Sequence, residues 1–291
     1  MHPLGLERGQ HEQHGHRDRH GLRENQPGFA HEHHKPKGPA VIERDTLVTH
    51  LHALLEADRY KDYGPNGLQV EGKSQIRKVV TGVTASLALI EAAAAEGADA
   101  LLVHHGLFWR GQDGRVTGWM KQRLSALLRH DINLIAYHLP LDAHPSLGNN
   151  AQWGQRLGWV ADARFGDQDL GFIGSAPDPD GLTLAALVSQ VEANMGRAPV
   201  VAPGDGRVLK RLAWCSGGAQ GYFEQAIAAG ADVFLTGEIS EPQAHYARET
   251  GVAFLACGHH ASERHGVQAV GDHLAARMGL SHTFIDLPNP A

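Results

Sequence analysis

Short apolar runs that stop abruptly at polar clusters, with Ala- and Leu-rich stretches between them, set the strongest limit on how this chain can fold. Lys78 to Val83 reads as a buried strand. Ser86 then caps a helix from Leu87 to Glu96, Gly97 ends it, and Ala100-Leu101-Leu102-Val103 follows as a second strand. Further along, the same order returns: strand Leu212 to Cys215, helix Tyr222 to Ala229, strand Val233 to Thr236, helix Glu241 to Glu249, strand Val252 to Ala256, helix Ser262 to Met278, strand His282 to Leu287. Strand, helix, strand order predicts an α/β sheet, largely parallel in its core, because a parallel neighbour needs a crossover long enough to hold a helix.

The two stretches also echo each other. Glu96-Gly97-Ala98-Asp99-Ala100-Leu101-Leu102-Val103 aligns with Ala229-Gly230-Ala231-Asp232-Val233-Phe234-Leu235-Thr236. Duplication explains the match, and so does the frequency of Gly-Ala-Asp after Ala-rich helices. The expected fold class is α/β: two similar three-layer α/β halves with mostly parallel sheets, and a cleft where the carboxyl ends of their strands meet.

Other elements fill in this plan. Leu47, Val48, Leu51, Leu54 and Leu55 recur at helical spacing between Ile42 and Glu56, and a Pro65-Asn66-Gly67 loop follows. Met120 to Arg129 and Asn149 to Leu157 read as helices, with a strand from Ile132 to Tyr137 between them. Residues 161–210 are less regular, with Gly, Asp and Pro clusters around one clear helix, Leu182 to Met195. The expected division is therefore a tail over 1–40, a first α/β half over 41–160, a connecting or inserted region over 161–210, and a second α/β half over 211–291.

Composition narrows the function classes. With 291 residues and 42% apolar content, the chain is long enough for about two domains with a sizeable core. The net charge of −6 argues against a general affinity for nucleic-acid phosphates or anionic lipid. No apolar run approaches the roughly 20 residues of a membrane span, and two cysteines, Cys215 and Cys257, make no disulfide framework. A cytoplasmic protein is expected. The unusual count is 21 His, of which eight lie in the first 40 residues, a segment with almost no spaced apolar positions. That segment is expected to be disordered and dispensable, either a metal-scavenging tract or an inert extension, with the native protein beginning near Val41.

Several of the remaining histidines sit at strand ends. His104-His105-Gly106 follows an apolar strand, and Gly106 permits the bend that would let both imidazoles reach one site; a surface pair fits the triplet as well as two ligands do. His138-Leu139-Pro140-Leu141-Asp142 follows another strand and offers an imidazole and a carboxylate, which suit a divalent metal or a hydrogen bond closing the loop. In Gly258-His259-His260-Ala261-Ser262-Glu263, one helical turn brings His259 and Glu263 to a common face, although Ser262 and Glu263 also suit an ordinary helix start. Thr236-Gly237-Glu238 occupies the position matching His104-His105, and its carboxylate suits a ligand, a general acid or base, or a plain strand end. Strand-end placement converges these clusters, and His104, His105, Asp142, His259 and Glu263 are about enough for two metals sharing a carboxylate with positions left open, which points to catalysis more than structure. Ser216-Gly217-Gly218 is a turn whose amides could receive an anion. The cysteines read as buried packing residues. Motifs for a nucleophile elbow, a phosphate loop, HExxH and CxxC are absent.

The stretches DYGPNGLQVEG, VVTGVTASLALIEAA, GADALLVHHGLFW, DINLIAYHLPLDAHPSLGNNAQ, AWCSGGAQ, DVFLTGEISE, GHHASER and TFIDLPNP together resemble the Nif-three-like dinuclear metal-centre family, the GTP cyclohydrolase I type 2 homologues, in its short bacterial form. The match runs from about Tyr60 to the C-terminus. The resemblance implies two α/β domains, a toroidal homohexamer and two divalent metals per subunit. It assigns metal ligation to His104, His105, Asp142, His259 and Glu263, the last as a bridge, and leaves His138 and His260 to orient ligands or contact substrate. The activity expected on that basis is metal-dependent hydrolysis of a nucleotide or purine-type substrate, with Glu238 or His138 moving a proton. The competing expectation is a ring-shaped metal carrier or scaffold without catalysis. Zn, Fe, Mn and Ni suit the donors alike.

Overall fold

The computed structural model describes residues 38–291, so most of the His-rich tail expected over 1–40 lies outside the described residues. The remainder is built on two large sheets and carries one short antiparallel pair, Ile42–Glu43 with Gln75–Ile76. A five-stranded sheet runs in the order Ser281–Phe284, Lys78–Thr84, Ala100–His105, Asn133–Ala136, Gly67–Val70, parallel except for its last pair. A six-stranded sheet runs Val160–Phe165, Gly171–Ser175, Arg211–Trp214, Val233–Thr236, Ala253–Ala256, Val200–Ala202; its central three strands are parallel and its flanks antiparallel.

Both sheets are covered on both faces, which makes each half three-layered. In the first, Leu101 and Val103 pack with Leu89 and Ile90 of helix Leu87–Ala95 and Leu127 of helix Gly118–Arg129. Ala100 and Leu102, pointing the other way, meet Leu47 and Leu51 of helix Arg44–Leu54 and Val270 and Leu274 of helix Arg264–Met278. The second half repeats the plan: Phe234 and Phe254 bury against Phe223 and Ala247 on one face, while Leu235 and Leu255 bury against Trp153, Leu187 and Val191 on the other. Each Leu or Phe taken out of water in this way stabilises the fold by about 1.5–3 kcal/mol before chain entropy is counted. Among the described residues, no helix is long and apolar enough to cross a membrane.

The sheets divide the chain differently from the expected boundaries at 160/161 and 210/211. Residues 161–210 are not a connector, because Val160–Phe165, Gly171–Ser175 and Val200–Ala202 are integral flanking strands of the six-stranded sheet. Nor is 211–291 one half, since the chain leaves the second sheet after Ala256 and returns. Helix Arg264–Met278 packs on the strand Lys78–Thr84, and Ser281–Phe284 joins that strand in parallel. The expected Pro65-Asn66-Gly67 loop runs straight into an edge strand, Gly67–Val70, that the sequence reading left unassigned. These strands escape a reading based on periodicity because they are short, and one of them, Val160–Phe165, is mostly exposed.

Candidate metal centre

The carboxyl ends of three parallel strands carry the chemistry. Strand Ala100–His105 includes both histidines, is paired as far as Thr84 and His105, and ends immediately before Gly106. Gly106 also serves close packing, for a Cβ there would collide with the Gln69 side chain, whose Oε1 accepts the Leu107 amide at 2.8 Å. Asp142 comes from a single helical turn, Leu139–Ala143, that opens directly after strand Asn133–Ala136. His259 and Glu263 flank a second such turn, His259–Ser262, after strand Ala253–Ala256. Glu263 stands at the break between that turn and helix Arg264–Met278, so the single helix expected from Ser262 onward begins two residues later and the carboxylate is freed from the helix surface.

The other four expected ligands converge on Glu263. Its Oε1 lies 3.3 Å from His104 Nε2, which is 3.6 Å from Asp142 Oδ1. Its Oε2 lies 3.3 Å from both His105 Nε2 and His259 Nε2. His104, Asp142 and Glu263 thus form one compact donor group and His105, His259 and Glu263 a second. The separations exceed the 2.7–2.9 Å of a charge-assisted hydrogen bond, and His104 Nε2 and Glu263 Oε2 are buried without a hydrogen-bond partner. Buried polar atoms are rarely orphaned, so facing, unpartnered donor atoms of these types fit a cation between them.

Neighbouring groups fix each ligand's orientation. His104 Nδ1 donates to the Tyr137 carbonyl at 3.1 Å and His105 Nδ1 lies 3.0 Å from Thr84 Oγ1, leaving both Nε2 atoms toward Glu263. Asp142 Oδ1 accepts from Asn149 Nδ2 at 2.9 Å and Ser216 Oγ at 2.8 Å. Glu238 does not face the cluster. It stands behind His259, accepting from Nδ1 at 2.6 Å, the carboxylate–imidazole pairing that holds a metal-binding ring in place. His138 closes the group beside His104 and His105, its Nδ1 donating to Asp62 Oδ1 at 2.7 Å. His260 points elsewhere, to Asp286 Oδ1 at 2.9 Å, and Asp286 also receives Arg264 at 3.0 Å.

Proton affinities follow from this crowding. Burial alone would depress His104, but Asp142 and Glu263 outweigh it and push the imidazole up to about 9. His259, beside Glu263 and Glu238, also rises to about 9. His105 falls to about 3, driven by burial and by its cationic neighbours despite Glu263. Burial opposes the charge on Glu263, yet the surrounding histidines hold it well below the usual carboxylate range. Protons on His104 and His259 therefore stand where cations would, and metal uptake must release them.

A cavity of about 560 Å³ opens onto this cluster; its wall includes His105, His138, Asp142, His259 and Glu263 together with Tyr63, Trp109, Arg123 and Tyr222. The turn at Ser216-Gly217-Gly218 forms part of the wall, and most of the amides around it are already engaged. The Ser216 amide is spent on Asn150 Oδ1 (2.7 Å), that of Gly217 on Ser262 Oγ (2.9 Å) and that of Ala219 on Thr236 Oγ1 (3.2 Å). Gly217 has φ +69° and a Cβ on it would collide with Glu263, which is why glycine stands there. Cys215 and Cys257 are buried and unbridged, as expected.

Sequence reasoning did not single out Asp62, Asn149 or Asn150. Asp62 also receives the Asn66 side chain at 2.9 Å and the Leu139 amide at 2.9 Å. Asn149 spans the halves, donating to Asp142 and accepting the Gly266 amide at 2.9 Å. Their signal was a run of polar residues inside otherwise apolar segments, DYGPN and GNN, whose partners are remote in the chain.

Two layered α/β halves that meet at a carboxylate-centred cluster of imidazoles define a two-half α/β protein with a donor cluster that could hold a metal ion. Residues 42–290 match the family model Duf34/NIF3 (NGG1p interacting factor 3), and the chain belongs to that family. A Neisseria meningitidis protein named GTP cyclohydrolase 1 type 2 homolog is 53% identical over 251 residues, 86% of this chain and 100% of its own. A Pseudomonas aeruginosa protein of the same name is 49% identical over 254 residues, with the same coverage. Among solved structures, protein ybgI, described as of unknown function, superposes with a TM-score of 0.82 at 45% identity, and a Thermus thermophilus protein with 0.78 at 36%; each match covers 86% of this chain and 100% of the other.

Proposed function

We propose that the protein is a dinuclear metal-dependent hydrolase acting on a nucleotide or purine-type substrate. The carrying observation is Glu263, whose two carboxylate oxygens face two different donor groups. His104 with Asp142 would hold one ion and His105 with His259 the other, Glu263 bridging them. Imidazole and carboxylate donors suit Zn, Fe, Mn or Ni. Each group supplies three protein donors, short of a closed shell, and the cavity lies on the open side. When bound, such ions supply Lewis acidity and make water acidic near neutral pH.

The chain's own residues orient and move protons. Asp62 anchors Nδ1 of His138, so Nε2 is the nitrogen left to accept a proton from water or return one to a leaving group at the cavity. Glu238, behind His259, keeps that ring in its ligating tautomer, a positioning role in place of the proton transfer first expected of it. The purine part of the reading is carried by the names of the relatives, and the hydrolytic part by the geometry. With this reading go a cytoplasmic location and assembly into a ring of six subunits, for which light scattering should give six times the chain mass.

The test is anaerobic purification with metal analysis, followed by a screen of GTP, damaged nucleotides and simple phosphoesters under the metal found. Turnover that Asp142→Ala abolishes is expected. No turnover on any of these, with Asp142→Ala indistinguishable from the parent, overturns the hydrolase reading in favour of a carrier or scaffold.

A further inference from the structure

The cavity that holds the carboxylate cluster is also lined by Trp109, Tyr63 and Tyr222, and by Arg123 of helix Gly118–Arg129. Trp109 is packed edge-on against His138, with ring centroids 5.1 Å apart at 90°, and lies 5.9 Å from the His105 ring. A ring resting on Trp109 is therefore one aromatic width from the donor cluster.

Arg123 is the anomaly. Its guanidinium sits 4.7 Å over the Trp119 ring, which fixes its direction without using its N–H donors. Among the described residues, no hydrogen bond or ion pair engages it, and burial alone lowers its pKa. Of the carboxylates that line the cavity, Asp142 is held by Asn149 and Ser216, and Glu263 faces the imidazoles of His104, His105 and His259; neither pairs with Arg123. A planar fork of donors, partly removed from water and left without an acceptor beside a substrate cavity, is built for an anionic oxygen group.

We propose that this cavity is a binding site for a planar heteroaromatic ring bearing a phosphate or carboxylate, with the ring held by Trp109, Tyr63 and Tyr222 and the anion held by Arg123. The ligand would span the cavity with its reactive end toward Glu263. The volume of about 560 Å³ accommodates a molecule of that size. The inference deepens the hydrolase reading by naming what the substrate must carry, and it rests on that reading's cavity being the substrate site.

The test is binding, measured by calorimetry at fixed ionic strength on the full, metal-loaded chain, with GMP and guanosine as probes that differ only in the phosphate. GMP is expected to bind at least about tenfold more tightly. Arg123→Gln should abolish that preference while leaving guanosine binding unchanged, and Arg123→Lys should restore part of it. Trp109→Leu should weaken both probes together. Arg129→Gln, an exposed change on the same helix, should leave the preference intact, which separates a specific contact from general charge. Equal affinities for the two probes, a preference that survives Arg123→Gln, or no binding of either probe overturns the proposal. Because the readout is affinity, absence of turnover would count against the hydrolase reading alone.

Discussion

Asp99 and Asp232 do the same work in the two halves. Asp99 Oδ2 accepts the amides of Arg77 and Lys78 at 2.9 and 3.1 Å, and Asp232 Oδ2 accepts those of Lys210 and Arg211, both at 2.9 Å. Each follows a glycine with positive φ, Gly97 or Gly230, that ends the preceding helix, and each ties the start of its own strand to the start of the parallel neighbour. The Gly-Ala-Asp echo in the sequence is thus a structural repeat, joined by equivalent hydrogen bonds.

The Asp99 clamp has a pH signature. Burial disfavours its charge, but the Lys73 ammonium at 2.7 Å and the two amides outweigh that and lower its pKa below the usual 3.8. A carboxyl with a depressed native pKa stabilises the fold above the unfolded value and loses that contribution as pH falls through the native one. Asp99→Asn should therefore cost about 1–3 kcal/mol at neutral pH. The gap between variant and parent, measured by urea unfolding, should close on acidification below about pH 4. A gap that is constant with pH would count against this account.

Glu263 should be the residue on which metal stoichiometry depends. Glu263→Ala is expected to lose both ions, and Asp142→Asn to lose chiefly the one shared with His104. Metal content by mass spectrometry after dialysis checks this. Two ions retained in Glu263→Ala would exclude a bridging role.

Glu238 acts through His259. Glu238→Gln should weaken metal binding by about 10–100-fold, as outer partners of ligating imidazoles do, with little effect on the fold. Competition with a chromophoric chelator reads the affinity, and circular dichroism reads the fold. Unchanged affinity would return Glu238 to the role of an ordinary strand-end carboxylate.

Gly217→Ala places a methyl group against the Glu263 carboxylate on a backbone with φ +69°. The expected result is a lower Tm, by a few degrees for about 1 kcal/mol, together with impaired metal uptake. Gly221→Ala, with open space at its Cβ, is the control and should keep both properties.

Much of the central fold was legible locally. Helix Asn149–Leu157 and strand Val233–Thr236 lie where periodicity and glycine stops put them, because a helix cap or a buried apolar run is decided by a handful of adjacent residues. The flanking strands were not legible, since Gly67–Val70 and Val160–Phe165 are strands only by virtue of partners they pair with at a sheet edge.

The amino-acid sequence by itself determined the α/β class, the polar clusters at strand ends and the four side chains that meet at Glu263, because each belongs to a short contiguous pattern. The tertiary structure decided what those patterns face. Only folding returns Ser281–Phe284 to the first sheet, sets Asp62 against His138 and Glu238 behind His259, and leaves Arg123 without a partner at the cavity. These are relations between residues far apart in the chain, settled by burial and packing across two sheets, and no local spacing encodes them.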